Sequence, residues 1–244
     1  MVPPPFADAP LPPRILLADD NEDNVALIAL FLEDAPYRLE TASDGRQAVD
    51  RHIAAPYDLI FMDLEMPDMD GYEATQAIRA RERQMNLSPV PILALTAHAL
   101  NEHRERCRQA GFTDFLVKPV RRAAILSALA TFLGETVDPA PRPARGTSPE
   151  PDRERLRPIL PLFYSTCEES LATAEQELAT GNLEGVRLQG HRIKGSARSF
   201  GFPAIGQAGE TLEQAGGTGD VPAVRAALSQ ARDLLALARR EFAG

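Results

Sequence analysis

The stretch YDLIFMDLEMPDMDGYEA, running from Tyr57 to Ala74, decides the fold of this chain. Leu59, Ile60, Phe61 and Met62 form a short unbroken apolar run, the pattern of a strand buried on both faces of a parallel sheet. The run stops at a carboxylate, Asp63, and Pro67 and Gly71 then force a loop before the next helix. Open α/β sheets place their ligands at the carboxyl ends of such strands. An Asp at that point is either a turn cap, the ordinary role of a lone Asp, or a nucleophile of the aspartyl-phosphate kind. Its neighbours in the fold decide between the two.

On either side of this stretch the pattern alternates strand and helix from Arg14 onward. Ile15–Ala18 reads as a strand ending in Asp19-Asp20-Asn21, followed by a helix with Val25, Leu27, Ile28, Leu30, Phe31 and Leu32 as its apolar positions. Tyr37–Thr41 alternates as a second strand, and Ser43-Asp-Gly opens a second helix. The Asp63 strand is third, with a helix from Tyr72 to Arg83. Pro91–Thr96 is fourth, with a helix from Leu100 to Ala110 capped by Gly111. Asp114–Lys118 is fifth, ended by Pro119, and Arg121–Leu133 makes the last helix of this half. Five strands alternating with five helices predict a doubly wound α/β unit around a parallel sheet. Right-handed crossovers put all the strand ends on one edge.

That edge gathers Asp19, Asp20, Asp63, Thr96 and Lys118. Clustered carboxylates repel unless a cation sits among them, and hard oxygen ligands suit Mg²⁺. Asp19 and Asp20 would hold or orient the ion, and Asp63 would attack a phosphoryl group whose charge Mg²⁺ and Lys118 neutralise. The Thr96 hydroxyl would bond one phosphoryl oxygen. A salt bridge accounts for Lys118 alone and a strand-end cap for Thr96 alone, but neither accounts for the set.

These residues resemble the receiver domain of response regulators, the CheY-like family with a flavodoxin-like five-stranded sheet. The match rests on Asp-Asp-Asn at 19–21, Met-Asp-Leu-Glu-Met-Pro at 62–67, Leu-Thr-Ala at 95–97 and Lys-Pro at 118–119. The resemblance implies Asp63 as phospho-acceptor, Asp19 and Asp20 as the acidic pair, Thr96 as switch hydroxyl, Lys118 as the family's lysine and Phe115 as the aromatic switch residue. Glu65 and His98, each two residues beyond a site residue, fall where the family tunes the lifetime of the acyl phosphate. Asp19–Asn24 and Met69–Thr75 look like receivers attached to hybrid kinases and phosphorelays.

Residues 1–13, with six prolines, read as a flexible leader, 14–133 as the receiver and 134–151 as a proline-rich linker. As a coil the linker would span roughly 20–25 Å. From 152 to 243 every signal is helical and predicts an all-α four-helix bundle, with room for one short extra N-terminal helix. Gly181-Asn182 separates two helices, and Gly216-Gly-Thr-Gly-Asp220 reads as a turn. Leu183, Val186, Gly190, Ile193, Ala197 and Phe200 make one stripe at helical spacing. On the other side His191, Lys194, Gly195 and Arg198 share a face. His191, about 200° around the helix from Ile193, falls outside the core. A surface His among solvated charges is the common case. Here Gly195 disfavours the helix by ~1 kcal/mol and is explained by something large approaching the imidazole. Lys194 and Arg198 would hold a phosphoryl group on His191.

Gly190-His-Arg-Ile-Lys-Gly-Ser resembles the His-x-x-Lys-Gly-Ser motif of histidine phosphotransfer (HPt) domains, with Gly where the family more often has Ala. The resemblance implies an exposed phosphohistidine at His191 on a four-helix bundle. His52, His98 and His103 have no such setting.

A net charge of −9 argues against nucleic acid as partner, and the Arg79, Arg81, Arg83 and Arg104, Arg106, Arg108 groups read as solvated helix faces. Two cysteines offer no disulfide framework, which fits a cytoplasmic protein. No apolar run approaches the ~20 residues of a membrane span, so no direct membrane insertion is expected. The chain is expected to be a phosphotransfer protein rather than an enzyme, labelling itself from a phosphodonor with Mg²⁺. Its expected partners are a sensor histidine kinase and an upstream or downstream receiver. Two readings stand. Phosphate passes between Asp63 and a His, or phosphorylation gates the access of outside partners to His191 without transfer inside the chain. A haloacid-dehalogenase-type phosphatase would need a second Asp where Glu65 stands. A histidine kinase would need an ATP-binding domain, and a DNA-binding regulator a helix-turn-helix in place of the bundle.

Overall fold

The computed structural model describes residues 11–96, 101–134 and 153–242, with the chain forming two compact units. Most of the expected leader, the linker residues 135–151 and His98 lie outside the described residues, as does the side chain of His103.

The first unit is built on strands β1 (Arg14–Ala18), β2 (Arg38–Ala42), β3 (Leu59–Asp63), β4 (Ile92–Thr96) and β5 (Asp114–Val117). They form one sheet in the order β2-β1-β3-β4-β5. The pairs β1–β2, β1–β3 and β3–β4 are parallel, with Ala18 opposite Met62 and Asp63 opposite Leu95. Strands β3 and β4 are buried at every position, as their unbroken apolar runs require of central strands covered on both faces. Helices α1 (Glu22–Leu32), α2 (Gly45–Ala54), α3 (Gly71–Gln84), α4 (Asn101–Ala110) and α5 (Arg122–Leu133) alternate with the strands. The strand order reverses between β1 and β3, which opens the crevice where doubly wound sheets bind ligands.

The β3–α3 connection is set by local chemistry. Asp70 caps α3 by accepting from Glu73 N at 2.8 Å, while the Glu73 carboxylate accepts from Asp70 N, a reciprocal capping box. Asp68 takes a left-handed φ of 62°, which Asp tolerates better than most residues. A Cβ on Gly71 would stand 2.0 Å from the Asp63 carbonyl oxygen, so only glycine lets α3 start this close to the end of β3. Gly71→Ala is therefore expected to destabilise the α/β unit by about 3 kcal/mol, read as a lower urea midpoint, because the clash is with backbone.

One expectation from the charge pattern is corrected. Arg79 and Glu82 do not lie on a solvated face. Glu82 is buried, where it accepts from Val90 N at 2.8 Å and from Arg79 Nη1 at 2.7 Å. Arg79 also donates to the carbonyls of Gly111 and Val90, so every partner needed to bury the pair is supplied. The pair fastens α3 to the start of β4.

The second unit contains the short α6 (Arg153–Leu156) and the bundle helices α7 (Leu160–Thr180), α8 (Leu183–Ser199), α9 (Pro203–Thr218) and α10 (Val221–Phe242). Helix α7 packs on α8, α8 on α9, α9 on α10 and α10 on α7, which closes the four-helix bundle. Gly181 ends α7 with a left-handed φ of 78°, and Asn182 caps α8 by accepting from Gly185 N. Val186, Gly190, Ile193, Ala197 and Phe200 are all buried, as the stripe predicts. Phe200 stacks on Phe163 at 4.9 Å between centroids.

The expected turn at Gly216–Asp220 is shorter than the sequence suggests. Gly216 and Gly217 continue α9, and the chain turns only at Gly219, φ 77°. A Cβ on Gly216 would stand 2.8 Å from Arg187 N, so this glycine serves contact between α9 and α8 rather than a bend.

Candidate functional site

The sheet edge brings together three of the residues the sequence placed there, Asp19, Asp20 and Asp63. Asp19 and Asp20 follow β1, Asp63 ends the neighbouring β3, Thr96 ends β4 and Lys118 follows β5. Asp19, Asp63 and Thr96 are 2%, 6% and 4% exposed, while Asp20 and Lys118 are half-buried. One oxygen from each of Asp19, Asp20 and Asp63 lies within 4.8 Å of the others. Three carboxylates this close repel strongly unless a cation or protons compensate, and an all-oxygen set fits Mg²⁺ better than a softer metal. Backbone bonds fix the frame: Asp19 N donates to Ala42 O and Leu64 N to Leu95 O. The Lys118–Pro119 peptide bond is cis. Glu65 is exposed.

Phe115, on β5, packs against the core of the α/β unit while the Arg104 guanidinium lies 4.7 Å above its ring centroid. Arg106 covers the Tyr72 ring at 4.4 Å in the same way. Two of the arginines read as solvated thus cover aromatic faces, and only Arg108 of that group pairs across an exposed surface, with Glu105.

On the bundle, His191 sits midway along α8 with its side chain 20% exposed. It is more enclosed than a free surface imidazole because Glu213, on α9, lies against it. Lys194 is buried, against the expectation that it stands on the open face beside His191. The cause is the same carboxylate: His191 Nδ1 is 3.0 Å from Glu213 Oε1, and Lys194 Nζ donates to Oε2 at 2.5 Å. Burial raises the Glu213 carboxyl, and the hydrogen bonds and charges of His191 and Lys194 outweigh it, holding Glu213 down at about 2. Arg198 pairs with Glu210 at 2.9 Å. A Cβ on Gly195 would meet nothing within 4 Å, so no internal packing demands glycine there.

Sequence reasoning missed Glu213. A signal existed: Gly206, Gly209, Glu213 and Gly216 follow one another at steps of three, four and three on α9. A lone carboxylate in a line of glycines on a helix face has only the facing helix to reach.

A strand-end cluster of carboxylates in one unit, and a histidine held by an ionised acid in the other, define a phosphotransfer class of protein. Comparison with known sequences agrees. Residues 15–130 match the response regulator receiver domain and residues 158–241 the Hpt domain. The chain belongs to the two-component phosphorelay proteins in which these two domains are joined. Sensor protein GacS of Pseudomonas syringae pv. syringae is 30% identical over 226 residues, covering 82% of this chain and 24% of that protein. Signal transduction histidine-protein kinase BarA of Escherichia coli (strain K12) is 29% identical over 223 residues, again 82% of this chain, and 23% of that protein. The chain thus spans about a quarter of the length of these curated relatives. Among solved structures, the receiver domain of sensor histidine kinase PA1611 from Pseudomonas aeruginosa PAO1 has a magnesium ion coordinated in its active site cleft. It is 43% identical, covers 51% of this chain and 99% of its own, and superposes with a TM-score of 0.46. No helix among the described residues is long and apolar enough to cross a membrane.

Proposed function

We propose that this protein holds a phosphoryl group on Asp63 and on His191 and passes it between them, within a chain or between two copies. The donor to Asp63 is the phosphohistidine of a sensor kinase, or a small phosphodonor in its place. The observation that carries the reading is the convergence of oxygens from Asp19, Asp20 and Asp63 within 4.8 Å at the switch point of the sheet.

Asp19, Asp20 and Asp63 would hold Mg²⁺, which when bound offsets negative charge on the phosphoryl oxygens. An Asp63 carboxylate oxygen then attacks phosphorus, and the N–P bond of the donor breaks with its electrons returning to the ring nitrogen. Burial of Asp63 keeps competing water low around the nucleophile. Lys118, following β5, supplies a further positive charge, and the hydroxyl of Thr96, at the end of the neighbouring strand β4, donates to a phosphoryl oxygen. Phe115 on β5 responds to that contact, with Arg104 as the group it must leave or keep. On the bundle, His191 accepts the phosphoryl group, Arg198 stands about two turns further along α8, and the bare backbone at Gly195 leaves space for a receiver to approach.

Mg²⁺ removal tests the carboxylate site directly. With a labelled small-molecule phosphodonor, chelation is expected to reduce label on Asp63 to background, and added Mg²⁺ to restore it. Full labelling in excess chelator would remove the ion from this reading.

A further inference from the structure

The seam between α7 and α10 is tied by two ion pairs, Glu168–Arg239 and Glu175–Arg232, each at 2.6 Å. Along both helices the pairs are seven residues apart, about two turns, and they run in opposite directions as antiparallel helices require. The next step along α10 is Arg225, and the next on the other side is Asn182, a neutral residue whose amide donates to Glu177. Arg225 and Asp233 are both exposed, and neither has an ion-pair partner among the described residues. Eight residues of helix, about 12 Å along the axis, keep them from pairing with each other.

Both charges belong to one ridge. Val221, Arg225, Ser229, Asp233 and Leu237 follow at steps of four along α10, and all five are exposed. Leu237, 53% exposed, is the most exposed large apolar side chain of the bundle among the described residues, and Val221 is 36% exposed. A single apolar residue at the surface is ordinary. The order of this ridge is not: apolar, positive, small, negative, apolar. Reversed, it reads the same with the charges exchanged, so the ridge is complementary to itself.

We propose that this face of α10 is a docking surface for a second copy of the chain, packed antiparallel about a two-fold axis at Ser229. The axis sets Arg225 against Asp233 of the partner subunit, and Asp233 against the partner's Arg225. Val221 and Leu237 close the two ends of the contact, each toward the other residue type. Ridges of residues four apart are those by which helices cross at about 50°, and serine at the centre lets the backbones come close. Helix α10 packs on α7 and α9 and lies diagonally across the bundle from α8, so the contact leaves the His191 side open. A contact of this kind buries roughly 1,000 Å² and gives a weak dimer, with Kd about 10–100 µM. Neither the contact nor its test depends on phosphate at Asp63 or His191.

Sedimentation velocity of the full chain from about 1 to 500 µM reads the association. The parent is expected to pass from monomer to dimer over this range. Arg225→Asp sets two acids together at both ends of the contact, and Asp233→Arg sets two arginines together. Each is expected to weaken association by about 10-fold or more. The double variant Arg225→Asp, Asp233→Arg restores opposite charges and should return to within about threefold of the parent. Mixing the two single variants restores them as well, across a heterodimer, so two proteins that stay monomeric alone should associate together. Leu237→Ser, which changes no charge, should weaken association several-fold, and helicity by circular dichroism checks that each variant is folded. A parent that stays monomeric throughout would overturn the proposal. So would a dimer that both single reversals leave within twofold, or folded single variants that remain monomeric when mixed.

Discussion

Asp63→Asn is expected to take up no label from a phosphodonor under conditions that fully label the parent. The amide is nearly isosteric, so the fold and the β3–α3 connection at Gly71 should survive, but its oxygen is a poor nucleophile and carries no charge for a cation. Two effects act together. The attacking oxygen is lost, and one of three carboxylates within 4.8 Å of one another is removed from the cation site. Relief of repulsion among Asp19, Asp20 and Asp63 predicts that the variant is as stable as the parent or more so in the absence of Mg²⁺. The outcome is read as label per chain, with alkali-labile acyl phosphate falling to background while the thermal midpoint holds or rises.

His191→Gln is expected to abolish acid-labile label and leave acyl phosphate on Asp63 intact or longer-lived. Glutamine fills similar space and keeps a polar end toward Glu213, so the bundle should hold. A carboxamide cannot accept a phosphoryl group as the lone pair of a neutral imidazole nitrogen can. If Asp63 normally passes its phosphate to His191, removing the acceptor removes one route of loss. Acyl phosphate in this variant should then decay more slowly than in the parent. Equal decay in both proteins would mean that His191 is not a route by which Asp63 loses phosphate.

How much of this was legible in the sequence differs from residue to residue. The carboxylate cluster was legible because one rule, parallel strands with their carboxyl ends on one edge, converts positions 19, 20 and 63 into neighbours without knowledge of any side-chain contact. The bundle stripe was legible because Val186, Gly190, Ile193 and Ala197 follow a single helical period. What sequence concealed was pairing between segments. Arg79 and Glu82 look like a solvated i,i+3 pair, and only Val90 N, eight residues on, and Gly111 O, 32 residues from Arg79, make their burial tolerable. Gly216-Gly reads as a turn because glycine pairs usually are, whereas its missing Cβ is needed for Arg187 N on the facing helix. Lys194 looked free to hold phosphate, and Glu213 looked like one more surface acid. They meet across 19 residues of sequence because Gly190 and Gly209 bring two backbones together. A contact that depends on the absence of side chains leaves little for a periodicity to detect.

The most direct measurement follows labelled phosphate through the purified full chain with Mg²⁺ and a small phosphodonor, sampling acid- and alkali-lability over time. Phosphotransfer between Asp63 and His191 predicts alkali-labile acyl phosphate first, then acid-labile phosphohistidine, with the second product requiring both residues. Mixing Asp63→Asn with His191→Gln then separates the routes: phosphohistidine in the mixture means transfer between copies, and its absence means transfer within a chain. Label that reaches Asp63 but never His191 in the parent would contradict the relay and leave His191 to partners outside the chain.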